Sequence, residues 1–188
     1  TTGHSSKIFP NYTGSAQLFA RSGYVAVSFD PPGMQGEHLQ GDEDGNNHFE
    51  DVGRSYLSGF WSQTFFIIDA IRCIDFLQTR SDVDQECGFA MTGISGGGTT
   101  TFQTSILEDR LRCIAPVCCV SDEVGLTLVD RYTFCCEGKG HAHWANGIKF
   151  STRLALSAPI PMLMCSGGKY EVLDYKLAKK TMENTKKI

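Results

Sequence analysis

Gly88-Phe89-Ala90-Met91-Thr92-Gly93-Ile94-Ser95-Gly96-Gly97-Gly98-Thr99 is the stretch that decides how this chain folds. Phe89 to Ile94 is a short apolar run of strand length, followed by one serine and a run of three glycines that opens a helix. The spacing Gly93-x-Ser95-x-Gly97 is that of a nucleophile elbow. A serine on so sharp a strand-to-helix turn is held in a strained backbone conformation, and side chains two positions away would crowd it. Glycine at both places removes the crowding. A helix starting at Gly96 points unpaired N–H groups back toward Ser95, where they favour developing negative charge. Other uses of a glycine turn fit less well. A phosphate loop needs a lysine before its Ser/Thr, and a dinucleotide fingerprint needs an acidic residue about 20 positions on. The sequence near Gly98 has no such lysine, and Pro116 to Cys119 hold no carboxylate. A plain structural joint is the remaining alternative.

The chain has 188 residues, enough for one domain with a buried core. A hydrophobic content of 41% and a charged content of 20% are those of a globular protein. A net charge of −4 argues against nucleic acid or an anionic membrane as the main partner. No apolar run approaches the roughly 20 residues of a membrane span. Of the eight cysteines, Cys113, Cys118, Cys119 and Cys165 fall in apolar strand-like runs and Cys73 on a helix. That pattern reads as buried reduced thiols and points toward a cytoplasmic setting. Cys135-Cys136 with His141 and His143 are metal-ligating types, but adjacent cysteines do not match the C-x2-C spacing of a zinc site. No metal and no organic cofactor are expected.

Strand and helix patterns alternate, which predicts a mostly parallel sheet flanked by helices. Thr13 to Ser22 reads as a helix with Thr13 as N-cap and Gly23 as terminator. Tyr24 to Asp30 follows as a strand stopped by Pro31-Pro32-Gly33, and the polar stretch Gln35 to Gly53 as a loop. Gln63 to Thr79 is an amphipathic helix, with Phe66, Ile67, Ala70, Ile71, Ile74 and Leu77 on one side. Asp69, Arg72 and Asp75 occupy the other, a solvated face with local ion pairs. After the elbow, Arg112 to Val120 is a strand weakened by Pro116, and Pro161 to Ser166 the last clear strand. Asp122 to Phe150 is irregular and a candidate lid, and Asp174 to Lys187 is a basic helix.

Further stretches join the elbow in a recognisable order. They are Gly3-His4-Ser5 with Lys7, then Gly23 to Pro31 with Gly33, Gly36 and Glu37. Asp69 to Leu77, with Arg80, Val83-Asp84 and the elbow itself, forms the most specific block, and Ala158-Pro159-Ile160-Pro161 opens a run ending Ser166-Gly167. Taken together they resemble the α/β-hydrolase fold, and within it the acetyl-xylan-esterase-like and dienelactone-hydrolase-like branch. The resemblance runs nearly end to end and implies a single α/β-hydrolase domain over residues 1–188.

That resemblance assigns roles. Ser95 is the nucleophile, and the backbone N–H of Gly96 supplies one oxyanion donor. His4 or Ser5 supplies the second from its backbone. The family's acid follows the seventh strand, where Tyr170 stands at the aligned place with Glu171 beside it. Glu171 is therefore the first candidate acid, with Asp122 and then Asp174 behind it. In this fold the order is Ser, acid, His, yet no histidine follows Glu171. His141 and His143 are the histidines after Ser95 that a lid would carry toward it. Only Thr1 and Thr2 precede Gly3, so the third strand, central in this fold, is nearly absent as well. The resemblance thus implies an internal fragment lacking N-terminal strands and the last strand, with the base beyond Ile188. It implies a serine-dependent carboxylic ester hydrolase acting through an acyl-enzyme. The substrates would be small acyl esters, acetylated carbohydrate among them. A hydrolase-like binding module without turnover is the second reading, and a metal-binding protein the third.

Overall fold

The structure, a computed structural model, describes residues 1–3, 6–32, 48–122, 143, 146–167 and 175–188, with residues 48–52 described by backbone alone. His4, Ser5, Glu37, His38, Cys135, Cys136, His141, Tyr170, Glu171 and Asp174 lie outside the described residues, as does nearly all of the candidate lid. The elements in chain order are α1 (Pro10–Arg21), α2 (His48–Leu57), α3 (Gln63–Gln78), β1 (Phe89–Ile94), α4 (Gly96–Ser105), β2 (Leu111–Val117), α5 (Phe150–Ala155) and α6 (Tyr175–Thr185).

β1 and β2 pair in parallel, with Ala90 opposite Cys113 and Ile94 opposite Val117. Parallel neighbours need a crossover, and α4 provides it, packing against both strands. A third extended segment lies on the far side of β2. Ile114 exchanges both of its backbone hydrogen bonds with it, its N–H donating to Pro161 O at 3.0 Å and its carbonyl accepting from Leu163 N at 3.0 Å. Pro116 has no N–H to continue the ladder. Its carbonyl still accepts from Cys165 N, and Cys118 N donates to Cys165 O. Pro161 to Ser166, expected as a full strand, is therefore reduced to two isolated parallel bridges, Ile114 with Met162 and Val117 with Cys165.

The core is built around Phe102 on α4, which is fully buried. Ile74 of α3, Phe89 of β1, Leu111 and Ile114 of β2, Phe150 and Leu154 of α5 and Ala178 of α6 join it in one cluster. The rings of Phe102 and Phe150 lie 5.4 Å apart, and the Arg153 guanidinium sits 4.2 Å above the Phe150 ring. Every residue of α4 is buried, although its sequence, Gly-Gly-Gly-Thr-Thr-Thr-Phe-Gln-Thr-Ser, is mostly small and polar. The helix accommodates this by back-bonding. Thr100 Oγ1 donates to Gly96 O at 3.0 Å and Thr101 Oγ1 to Gly97 O at 2.8 Å. Gln63 Nε2 on α3 in turn donates to Thr100 Oγ1 at 2.8 Å, tying α3 to α4.

α3 runs as its periodicity predicts, burying Phe66, Ile67, Ala70 and Ile74. Its outer face carries the expected ion pair, Arg72 to Asp75 at 2.6 Å, and Asp75 also reaches Arg110 at 2.8 Å. Three expectations need correction. α1 begins at Pro10, not Thr13, because proline presets the first helical turn. Thr13 is not its N-cap; the hydroxyl donates instead to Lys7 O at 3.0 Å. Tyr24 to Asp30 forms no strand, since a strand needs a partner along its length. Thr2 reaches only its end, donating its N–H to Phe29 O at 3.4 Å, and Tyr24, Val25 and Val27 stay exposed. The described cysteines are free, but only Cys119 is buried; Cys113 is exposed on the outward face of β2.

Phe102→Ala should lower the unfolding free energy by about 3–5 kcal/mol through the cavity it leaves. Leu107→Ala, at a mostly exposed position just after α4, should change it by no more than about 0.5 kcal/mol. Urea titrations of the two variants against the parent chain check the contrast.

Candidate active site

Ser95 sits between β1 and α4 with φ 56° and ψ −119°, a region of backbone space that side-chain-bearing residues rarely occupy. Its main chain is held from both sides. The N–H donates to Val117 O at 2.9 Å, and the carbonyl accepts from Thr99 N at 3.0 Å. The glycines around it are required by close approach. A Cβ on Gly93 would stand 2.5 Å from the Gly97 carbonyl carbon and oxygen, and one on Gly97 would stand 2.5 Å from Thr1 O. Gly98 is equally constrained, 2.7 Å from Val117 O and 2.9 Å from Cys119 Sγ by the same measure. The sequence spacing marked Gly93 and Gly97, whereas the need at Gly98 comes from the neighbouring strand. The half-buried Ser95 side chain therefore leaves the sheet at the N-terminus of a ten-residue helix, whose first N–H groups have no partner within that helix. Gly96, the expected first oxyanion donor, is the first residue of that helix.

The start of the chain, where the third strand was expected to be nearly absent, lies against this elbow. The Thr1 amino nitrogen donates to Thr92 O at 2.8 Å, while Thr2 N donates to Phe29 O, so these two residues lie between β1 and the Tyr24–Asp30 segment. Gly3 comes next. A Cβ there would meet Ile94 O at 2.7 Å and stand 3.4 Å from Ser95 Cβ, and its N–H donates to Tyr12 Oη at 2.9 Å. The residues expected to give the second oxyanion donor, His4 and Ser5, follow directly and are outside the described set.

Solved structures share the overall fold. Two structures of a glucuronoyl esterase from Solibacter usitatus match with TM-scores of 0.52 and 0.53 at 18% and 17% identity, each covering 80% of this chain. Acetyl xylan esterase 1 from a Thermoanaerobacterium species matches with a TM-score of 0.52 at 17% identity over 97% of this chain. The fold is that of the α/β-hydrolases. The chain spans 38–39% of the glucuronoyl esterase chains and 62% of the acetyl xylan esterase chain. No family model and no curated protein matches it.

In an α/β-hydrolase the acid and the histidine follow the serine. Glu171 and Asp174 are outside the described residues. Asp122, just beyond β2, places Oδ2 3.4 Å from Lys180 Nζ on α6. His143 packs edge-on against Trp61, with ring centroids 4.9 Å apart. Its buried Nδ1 has no hydrogen-bond partner among the described residues. Burial, and then the charge of Arg153, push its pKa below the ordinary 6.5. Among the described residues no three His, Cys, Asp or Glu side chains come together as a metal site.

Missed in the sequence were the roles of Asp30 and Tyr12. Asp30 is 3% exposed and bonds the turn beside the elbow, and Tyr12 holds Gly3. A carboxylate closing an apolar run, immediately before Pro31-Pro32, was the one available signal for Asp30.

Two outcomes follow for this site. Ser95→Gly should be more stable than Ser95→Ala by about 1–2 kcal/mol, because glycine relieves the positive φ and alanine retains it. Thermal unfolding of both variants measures it. For His143, the folded state takes up a proton less readily than the unfolded chain, so stability should fall as pH drops through the unfolded histidine value near 6.5. His143→Gln should flatten that fall, as read from urea midpoints at about pH 8 and about pH 5.

Proposed function

We propose that this chain is a serine-dependent carboxylic ester hydrolase that acts through an acyl-enzyme on small acyl esters, acetylated carbohydrate among them. The observation that carries the reading is the positive-φ serine at the mouth of α4, bordered by Gly3. A structural joint does not require a nucleophilic residue in that conformation; glycine would fill it at lower cost. In the proposed reaction Ser95 Oγ attacks the ester carbonyl while a histidine base takes its proton. The tetrahedral oxyanion is stabilised by the Gly96 N–H and by a backbone N–H of His4 or Ser5. The proton then passes to the departing alcohol, leaving Ser95 acylated, and water releases the acid by the same steps in reverse order of roles. Glu171 orients the histidine and offsets its charge. The carbohydrate substrate class draws support from the names of the structural neighbours, a glucuronoyl esterase and an acetyl xylan esterase.

A fluorophosphonate probe, applied to the protein in the length its organism makes, should attach to Ser95 and to nothing in the Ser95→Ala variant. Hydrolysis of an acetyl ester should drop at least about 1,000-fold in that variant. Labelling that survives Ser95→Ala removes the nucleophile assignment; a wild-type protein that takes no label favours a binding module.

A further inference from the structure

Asp30 ends the run Tyr24-Val25-Ala26-Val27-Ser28-Phe29, and its carboxylate is buried. A carboxylate is costly to bury unless donors surround it. Among the described residues, Thr2, Ser6 and Lys7 at the start of the chain supply donors to it. Lys7 N–H donates to Oδ1 at 2.5 Å, and Thr2 Oγ1, shared with Phe29 O, lies 3.3 Å from Oδ1. Ser6 Oγ donates to Oδ2 at 3.4 Å, and Lys7 Nζ stands 3.8 Å from the same oxygen. Thr2 precedes Gly3 in the chain, and Ser6 and Lys7 follow it. Lys7 is held again at its carbonyl by Thr13, and Gly3 by Tyr12.

We propose that Asp30 is a positioning residue for the active site. Its carboxylate holds Thr2, Ser6 and Lys7, and through them keeps Gly3 against Ser95, where the proposed oxyanion would form. This rests on Ser95 being the ester-cleaving nucleophile. Gly3 is in van der Waals range of the elbow, a hypothetical Cβ lying 3.4 Å from Ser95 Cβ. Any shift of Gly3 is therefore transmitted to the space beside Ser95. Donors to an oxyanion act at about 2.7–3.1 Å, and a displacement on the order of 1 Å is enough to cost about 100-fold in rate. Thr2 on one side of Gly3 and Ser6 and Lys7 on the other, meeting at one carboxylate, hold that displacement down.

Asp30→Asn keeps the shape but replaces an acceptor oxygen with an NH2 group facing the same donors. With the protein in its natural length and an acetyl ester as substrate, kcat per folded molecule should fall about 10- to 100-fold while KM changes less than about threefold. Affinity for a trifluoromethyl ketone, which forms a tetrahedral adduct on the serine, should fall in step with kcat/KM. A purely architectural role would lower the folded fraction and leave these constants alone. Ser6→Ala removes one contact to the carboxylate and should give a fall of about threefold or more in kcat by the same pattern; it decides the matter if Asp30→Asn does not fold. Unchanged kcat in folded Asp30→Asn, or in Ser6→Ala where only that variant folds, overturns the Asp30 role while wild-type labelling at Ser95 leaves the nucleophile standing. A wild-type protein that takes no fluorophosphonate at Ser95 overturns both.

Discussion

The reversal of the main chain at Ser95 sets the terms for everything around it. Val117 O and Thr99 N clasp the serine's own amide and carbonyl, so the kink belongs equally to β2 and to α4. With both ends held, β1 and α4 approach until the Gly97 carbonyl occupies the space a Gly93 side chain would fill. A positive φ at a residue other than glycine persists only when its surroundings over-determine it. Here two hydrogen bonds and three steric constraints do so.

That close approach dictates the character of α4. A helix pressed between strands on one side and α3 on another has little room for long side chains, and glycine and threonine are what fit. Burying so many hydroxyls would be unfavourable if they lacked partners, but helical carbonyls one turn back accept from Thr100 and Thr101. Phe102 is the exception in size and becomes the centre of the core. The same compression brings Thr1 to Gly3 onto the elbow, where Thr1 O lies over Gly97. Ser95, the start of α4 and Thr1 to Gly3 are thus parts of one packed unit. The esterase reading draws its strength from that unit, since the chemistry it proposes needs all three in register.

Legibility along the chain varied with the range of the forces involved. α3 could be read from its apolar spacing, and the elbow from five residues, because both depend on interactions within a turn or two. Tyr24 to Asp30 has a strand's composition, but ladder formation is decided by neighbours remote in sequence, and among the described residues Thr2 alone bonds its backbone from across the sheet. Pro161 to Ser166 failed as a continuous strand because Pro116, some 46 positions earlier, interrupts the donors it would meet. Cys113 looked like a core thiol and is exposed, since membership in an apolar run does not say which face of a sheet a residue takes.

By itself the sequence determined that a serine would stand in a glycine-relieved kink between a strand and a helix, and that the architecture would alternate β and α. Those features follow from local sterics and short periodicities, which five to fifteen consecutive residues carry in full. Only the tertiary structure decided that a polar ten-residue helix is the most buried element. It also decided that Gly98 must be small for the sake of Val117, and that Asp30 is a buried anchor for a turn more than twenty residues away. Each of these depends on which atoms meet across the fold, and burial and hydrogen bonding acquire their energy only once distant segments have excluded water together.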